Sequence, residues 1–188
     1  KPALVESGYI GYIDINCIVN GKGIYPLEFT ARFGYPTIQI QSEGITMPTG
    51  EWLYKLACGE SFELKTKKGF QIGVRISVPT LFVKSEGVYA DKETVEIFHD
   101  LPILFKKPNN LEGIHIEDIK IEDGVWRIAG TSGCLMVVTG SGTTVNEARQ
   151  QAYTRIKNIM VQNMFYRTDI GLKWNTDSDK LQTWGYLY

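Results

Sequence analysis

The sequence has few of the residue patterns that usually indicate a metal centre, a disulfide scaffold or a membrane anchor. Its three cysteines, Cys17, Cys58 and Cys134, are widely spaced and form no C-x-x-C pair, so they predict neither zinc nor a disulfide framework. No apolar run approaches the roughly 18 residues of a membrane-spanning helix. The first residues contain no apolar signal core. The cysteines are therefore expected to be reduced thiols. Reduced cysteines and the lack of a signal core predict a cytoplasmic protein.

The chain also lacks an excess of charge of either sign. Twenty Lys and Arg residues stand against 21 Asp and Glu residues, which gives a net charge of -1. We therefore expect no general electrostatic attraction to nucleic acid or to an anionic membrane, and we predict neither as a partner. The 43% of hydrophobic residues excludes a disordered chain.

The first third of the sequence predicts a β-hairpin followed by a short helix. Residues 9–19 and 24–33 are rich in β-branched and aromatic residues, and the glycines of the intervening Asn20-Gly21-Lys22-Gly23 suit a tight turn. A helix is expected over about 49–58, with Thr49 as its N-cap. The glycine and lysine residues that follow predict a boundary between residues 64 and 65.

The remaining sequence predicts an antiparallel sheet with one packed helix. Strand-like runs occupy residues 70–83, 89–98, 115–122, 125–130 and 134–140. Turns at 122–124 and 131–133 predict two further hairpins. An apolar stripe at helical spacing predicts a helix over about 143–160, with a capping box formed by Thr144 and Glu147. The fold class is therefore α+β, with domains at residues 1–64 and 65–188.

Oxygen-bearing side chains on the first hairpin form a candidate magnesium site. Glu28 on the second strand is expected near Asn16 on the first, close enough for both to bind one Mg²⁺. Glu28, Thr30 and Arg32 alternate with period two, so they are expected on one face, as a phosphate-handling surface requires. A solvated strand face with a Glu–Arg interaction explains the same spacing.

Several motifs resemble a known enzyme family. Glu28-Phe29-Thr30-Ala31-Arg32 is similar to the Glu-x-Asn-x-Arg signature at the base of the nucleotide cleft in ATP-grasp enzymes. Three longer runs resemble the C-terminal part of the phosphoribosylamine–glycine ligases, and the resemblance spans about residues 8–174. These runs begin with Arg32-Phe33-Gly34-x-Pro36, continue over residues 132–153 and end with Phe165-Tyr166-Arg167-x-Asp169-Ile170-Gly171.

The resemblance implies a function in purine synthesis. It implies ATP-dependent joining of glycine to phosphoribosylamine through an acyl phosphate, with Mg²⁺ as cofactor and ATP as co-substrate. The residues that it implicates are Glu28, Asn16 and Thr30 as Mg²⁺ ligands, Arg32 as the catalytic residue that steadies the transferred phosphate, and Arg32, Gly34, Arg167 and Asp169 as substrate-binding residues. An ion pair between Arg167 and Asp169 that pins the chain end to the sheet is the alternative for those two.

The chain departs from the family pattern at three positions. Thr30 stands where the family usually has Asn, and Tyr35 and Thr37 stand where it usually has acids. The loss of two carboxylates changes the charge near the expected amine site, so the amine and acid substrates are left open. The turn 140–144 lacks the Lys of a phosphate-binding motif, and it is expected to be a tight strand-to-helix turn with Thr144 as cap.

The family also needs an N-terminal nucleotide-binding portion, which this sequence does not contain. We therefore expect the chain alone to be inactive and the missing portion to lie in the same or a partner chain. The chain would then be a fragment, one piece of a split enzyme or a derived protein. A noncatalytic binding or assembly module is the competing interpretation.

Overall fold

The computed structural model describes residues 2–79 and 92–187 and combines helices with antiparallel sheets. Every strand pair in these ranges is antiparallel, which confirms the predicted α+β class. The helices are α1 (Pro2–Glu6), α2 (Thr37–Gly44), α3 (Thr49–Ala57), α4 (Lys92–Phe98), α5 (Val145–Ile156) and α6 (Trp174–Thr183). The strands are β1 (Asp14–Asn20), β2 (Gly23–Thr30), β3 (Phe70–Ser77), β4 (Pro102–Phe105), β5 (Ile114–Ile116), β6 (Ile119–Glu122), β7 (Val125–Ile128), β8 (Cys134–Gly142) and β9 (Ile159–Met160).

The chain divides into two compact units. The hairpin unit comprises Lys1–Lys68 and Leu172–Tyr188, and the core unit comprises Gly69–Gly171. The last residues of the chain thus belong with the first ones. The functional division into residues 1–64 and 65–188 stays a prediction.

The hairpin unit is built on the predicted β1–β2 hairpin, which is confirmed. The two strands pair from Asp14 opposite Thr30 to Asn20 opposite Gly23, with a bulge after Asn16. The predicted helix is also present as α3 and buries Trp52. Thr49 is its first helical residue rather than its N-cap, which is Pro48, so the predicted cap is wrong.

The aromatic tail packs within the hairpin unit. The hydroxyl of Tyr186 donates to the carbonyl oxygen of Asn20 at 3.1 Å. A side chain at Gly21 would meet the indole nitrogen of Trp184 at 2.9 Å, so the absence of a side chain there lets the indole lie on the turn. The tail therefore holds the β1–β2 turn.

The core unit contains two antiparallel sheets with strand orders β3-β8-β5 and β6-β7-β4-β9. Its core is one cluster of buried side chains from β3, β8 and α5 with contributions from the second sheet. The side chains of Ile76, Leu135 and Val138 are fully buried. The stripe predicted for α5 accounts for its buried face, where Ala148, Ala152 and Ile156 are inaccessible.

Two predictions for the core unit are wrong. Residues 92–98 form helix α4 instead of part of a strand, and Phe98 at the end of this helix is buried in the core. The turn at 131–133 does not join a hairpin, since β7 pairs with β6 and β4 whereas β8 pairs with β3 and β5. The chain therefore crosses between sheets there. The parts of the predicted strands that fall in residues 80–91 lie outside the described residues.

The other turn and helix predictions for this unit are close to the structure. Strands β6 and β7 form the hairpin predicted at 122–124, and Asp123 adopts the positive φ of 51° that the turn requires. Helix α5 ends at Ile156, four residues before the predicted end, because β9 begins at Ile159. Of the helices in the described ranges, none is long and apolar enough to cross a membrane.

Candidate metal and phosphate site

One face of the β1–β2 hairpin gathers four oxygen-bearing side chains. Asn16 lies directly opposite Glu28, and Asp14 lies directly opposite Thr30. Directly paired residues of antiparallel strands project from the same face, so these four residues, Asp14, Asn16, Glu28 and Thr30, form what we call the polar face. The predicted proximity of Asn16 and Glu28 is confirmed, since the Asn16 amide nitrogen donates to Glu28 Oε1 at 3.0 Å.

Two oxygen atoms of the Asn16–Glu28 pair are available to bind a further group. In the described part of the chain, Glu28 Oε2 and Asn16 Oδ1 have no hydrogen-bond partner. Both side chains are exposed, and the bond between them restrains both in one orientation. The pair therefore presents a carboxylate oxygen and an amide oxygen side by side to solvent.

Asp14 is a member of the polar face that the sequence analysis missed. Its carboxylate lies beside Gly34, where an added Cβ atom would meet Asp14 Oδ2 and Thr37 Oγ1 at 2.8 Å each. Gly34 is buried, and its lack of a side chain is what admits both neighbours. The Asp14-x-Asn16 spacing, with period two on the first strand, is the signal that would have identified Asp14.

The structure corrects the predicted strand position of Arg32. Strand β2 ends at Thr30, so the period-two alternation does not continue to Arg32. Beyond the strand end, Gly34 lies beside the Asp14 carboxylate. Arg32 is exposed, and its Nη1 donates to the neighbouring carbonyl oxygen of Phe33 at 2.9 Å. Its catalytic role stays a prediction.

The donor set of the polar face suits a hard cation. Carboxylate, amide and hydroxyl oxygens are the ligands that Mg²⁺ takes, and Mg²⁺ is commonly held by one or two carboxylates together with substrate phosphates. Across residues 2–79 and 92–187, no group of three or more His, Cys, Asp or Glu side chains is arranged to hold a metal. The polar face, with Asp14 and Glu28, fits a magnesium ion shared with a phosphate ligand rather than one enclosed by protein.

Arg167 and Asp169 form a two-point ion pair in the core unit. Arg167 Nε and Nη2 donate to the two carboxylate oxygens of Asp169 at 2.9 and 2.7 Å. The hydrogen bond to Asp169 raises the pKa of the Arg167 guanidinium above its ordinary value. Because both residues belong to one segment, the pair stiffens that segment.

Other contacts fasten this segment to the rest of the core unit. The hydroxyl of Tyr153 donates to the carbonyl oxygen of Arg167 at 2.8 Å, and Arg149 donates to that of Thr168 at 3.1 Å. Both donors lie on α5. Helix α5, rather than the Arg167–Asp169 pair, therefore pins the segment. A substrate-binding role for the pair stays a prediction.

The glycine-containing turn before α5 is a helix cap. Thr144 accepts from the backbone N–H of Glu147, and the Glu147 carboxylate accepts from the backbone N–H groups of Thr143 and Thr144. The hydroxyl of Thr143 adds the largest contribution, and together these donors lower the pKa of Glu147. The helix start is thus already occupied by the chain's own carboxylate, as expected for a tight turn.

Comparison with known proteins gives this geometry a family context. Residues 106–173 match the family model described as phosphoribosylglycinamide synthetase, C domain. Phosphoribosylamine–glycine ligase from Leifsonia xyli is 26% identical over 171 residues, which cover 91% of this chain. The same enzyme from Streptococcus pneumoniae is 27% identical over 183 residues, covering 92% of this chain. The chain resembles the C-terminal part of phosphoribosylamine–glycine ligase.

Solved structures support the same fold. The crystal structure of phosphoribosylamine–glycine ligase from Thermotoga maritima superposes with a TM-score of 0.62 at 21% identity and covers 88% of this chain. The biotin carboxylase domain of the Hydrogenobacter thermophilus 2-oxoglutarate carboxylase, crystallised with MgADP, superposes with a TM-score of 0.55 at 14% identity and covers 99% of this chain. These likenesses show that the chain shares its fold with the matching regions of both proteins, in agreement with the predicted fold class.

The match covers only part of these relatives. The chain spans 40% of the length of both the Leifsonia xyli and the Streptococcus pneumoniae ligases. It spans 39% of the Thermotoga maritima chain.

Proposed function

We propose that this chain supplies the magnesium-binding hairpin and the C-terminal domain of an ATP-dependent carboxylate–amine ligase of the phosphoribosylamine–glycine type. The observation that carries the proposal is the Asn16–Glu28 pair on the polar face, in a chain of which 91% aligns with one of these ligases. The substrates would be ATP, an amino acid such as glycine, and an amine such as phosphoribosylamine.

The polar face would bind the ion through Glu28, Asn16 and Asp14, with Thr30 as an additional hydroxyl ligand. When bound, Mg²⁺ neutralises charge on the ATP phosphates. The Asn16–Glu28 hydrogen bond orients the two principal donors before the ligand arrives, which lowers the entropic cost of binding. The Asp14 carboxylate lies close to Gly34.

Arg32 would orient the phosphoryl group in transfer. Its guanidinium is exposed, and it offers the planar fork that pairs with phosphate oxygens. In the reaction, a substrate carboxylate oxygen attacks the γ-phosphorus of ATP, the bond to ADP breaks, and an acyl phosphate forms. The amine nitrogen then attacks the acyl carbon, phosphate leaves, and the nitrogen loses a proton to give the amide. The ATP-binding portion for these steps would come from the same or a partner chain.

The opposite face of the hairpin supports a role within a larger assembly. Register places Ile15 opposite Phe29 and Val19 opposite Ile24 on that face. These side chains are exposed, Phe29 by 70% and Ile24 by 55%. An open apolar surface of this kind marks an interaction site in a soluble protein. The ATP-binding portion is the occupant that the proposal assigns to it.

The test is phosphate release from ATP by the protein together with its ATP-binding portion, with glycine and phosphoribosylamine as substrates. Glu28→Gln should lower turnover by about 100-fold or more, because it removes a carboxylate that would hold Mg²⁺, and should leave the melting temperature unchanged. Glu63→Gln, an exposed carboxylate elsewhere in the hairpin unit, is the matched control and should retain wild-type turnover.

Two results would contradict the proposal. One is a Glu28→Gln variant that keeps the wild-type turnover but has a much lower melting temperature than the wild type, because Glu28 would then be a structural residue. The other is a wild-type protein that, together with its ATP-binding portion, releases no phosphate from ATP with any amine tested. That result would favour the noncatalytic module.

Thr30→Asn restores the residue usual in the family. This variant should keep the wild-type turnover or reach it at a lower Mg²⁺ concentration.

A further inference from the structure

A cavity with a strongly positive lining lies in the core unit. It has a volume of about 290 Å³ and opens between the chain segment after β4, strand β5 and the end of α5. Four of its lining residues are cationic, and no described lining residue is acidic. The lining residues are Lys106, Lys107, Asn110, Ile114, Thr154, Arg155, Lys157 and Asn158. The concentration of charge contrasts with a whole chain whose net charge is only -1.

The lysines of this cavity differ from most other cations of the unit in having no acidic partner. Lys120 and Arg127 contact Glu122, and Arg167 contacts Asp169. Lys106, Lys107 and Lys157 form no ion pair with any described residue. Three ammonium groups are therefore left for a ligand.

The fourth cation has a structural task at the cavity wall. The Arg155 guanidinium pairs with Glu112 and donates to the carbonyl oxygen of Thr139 at 2.7 Å. Its side chain is only 11% exposed. The Glu112 carboxylate offsets the charge of Arg155, so the three lysines give the cavity a net charge of about three positive units.

Asn158 fixes the lysine-bearing loop in place. Its Oδ1 accepts from the backbone N–H of Lys107 at 2.7 Å, and its Nδ2 donates to the carbonyl oxygens of Lys107 and Asn110 at 3.2 and 3.0 Å. The backbone N–H of Lys106 donates to the Asn158 carbonyl at 2.9 Å. The frame of the cavity is thus formed before any ligand binds, which reduces the entropic cost of binding.

We propose that this cavity binds a phosphate monoester. Its three lysines supply point charges that suit a phosphate dianion, and the Thr154 hydroxyl and Asn110 amide add neutral hydrogen-bond donors. Ile114 lines the same cavity and offers an apolar surface to the carbon skeleton of the ester. The volume lies at the lower end of small-molecule sites, which suits a compact ester such as a sugar phosphate. The site shares no residue with the polar face.

Calorimetric titration in EDTA tests the proposal without any contribution from a magnesium site. Ribose 5-phosphate should bind and ribose should not. Lys106→Gln/Lys107→Gln/Lys157→Gln should weaken ribose 5-phosphate binding by about 30-fold, the product of three modest charge contacts. The matched control is Lys22→Gln/Lys68→Gln/Lys173→Gln, which removes the same charge from exposed lysines of the hairpin unit and should stay within about twofold of wild type.

Inorganic phosphate and ATP as further probes distinguish the sources of the phosphate. If inorganic phosphate binds to the wild type and not to the cavity triple variant, the phosphate group alone is sufficient for recognition by the cavity. Tighter binding of ATP than of ribose 5-phosphate, lost in the same variant, would identify a nucleotide as the ligand and would overturn the assignment to a compact phosphate monoester. The proposal is overturned if no probe binds, if ribose binds as well as its phosphate, or if the control variant loses as much affinity as the cavity variant.

Discussion

The two units of the chain bury their strands to very different degrees. In the core unit, Ile76 on β3 and Val138 on β8 are completely inaccessible. In the hairpin unit, Phe29 on β2 is 70% exposed and Leu27 is 63% exposed. The core unit is stabilised by its own apolar cluster, whereas the hairpin relies on strand pairing and on the few contacts at its ends. The region that carries the candidate metal site is therefore the one with the least internal support.

Truncation of one large side chain in each unit should give the largest contrast. Ile76→Ala removes a fully buried side chain and should lower the free energy of unfolding of the core unit by about 2–5 kcal/mol. Phe29→Ala removes an exposed side chain and should change it by less than about 0.5 kcal/mol. Urea unfolding of the chain measures both. Equal losses would show that the hairpin is covered within this chain and would remove the contrast.

A methyl group added at Gly34 tests the one tightly packed point of the candidate site. Gly34→Ala should destabilise the hairpin unit by about 1–3 kcal/mol, because its Cβ would collide with Asp14 and Thr37. Gly50→Ala in α3 is the control, since nothing lies within 4 Å of the added carbon there. This control should be stabilising by up to about 1 kcal/mol. A neutral Gly34→Ala variant would mean that Asp14 is not held against Gly34.

The helix caps give a smaller difference between the units. Helix α5 has a full capping box, whereas α2, α3 and α6 of the hairpin unit begin without a side-chain cap among the described residues. Thr144→Ala should therefore cost about 1 kcal/mol in thermal or urea unfolding. Thr49→Ala should cost less than about 0.5 kcal/mol, since Thr49 does not cap α3. Similar losses at the two threonines would contradict the assigned caps.

Local signals in the sequence predicted the elements whose conformation is decided locally. The Asn-Gly and Asp-Gly turns specified two hairpins, and the Thr144–Glu147 spacing specified the start of α5. The crossing of the chain between β7 and β8 has no local signal, because strand partners there are chosen by burial of residues distant in sequence. The strand prediction for residues 92–98 was wrong for a related reason. The large apolar side chains of this short segment are Val95, Ile97 and Phe98, and their spacing fits both the period of a strand and the period of a helix.

Part of the candidate site was accessible to the same reasoning. Cross-strand pairing placed Asn16 beside Glu28, and that contact is confirmed. Asp14 lies opposite Thr30, and the period-two pattern along β2 that predicts the position of Thr30 carries no information about this cross-strand neighbour. The position of Arg32 was wrong because nothing in the local pattern indicates that β2 ends at Thr30. Beyond that end, Gly34 lies beside Asp14, a residue 20 positions earlier in the chain.

Paramagnetic broadening by Mn²⁺ in the presence of ATP tests most directly whether the polar face binds a divalent ion. The account predicts that amide signals of residues 14–16 and 28–30 broaden at lower Mn²⁺ concentrations than the other signals of the hairpin unit, and that Glu28→Gln abolishes the effect. Broadening centred elsewhere, or unaltered in the Glu28→Gln protein, would contradict it.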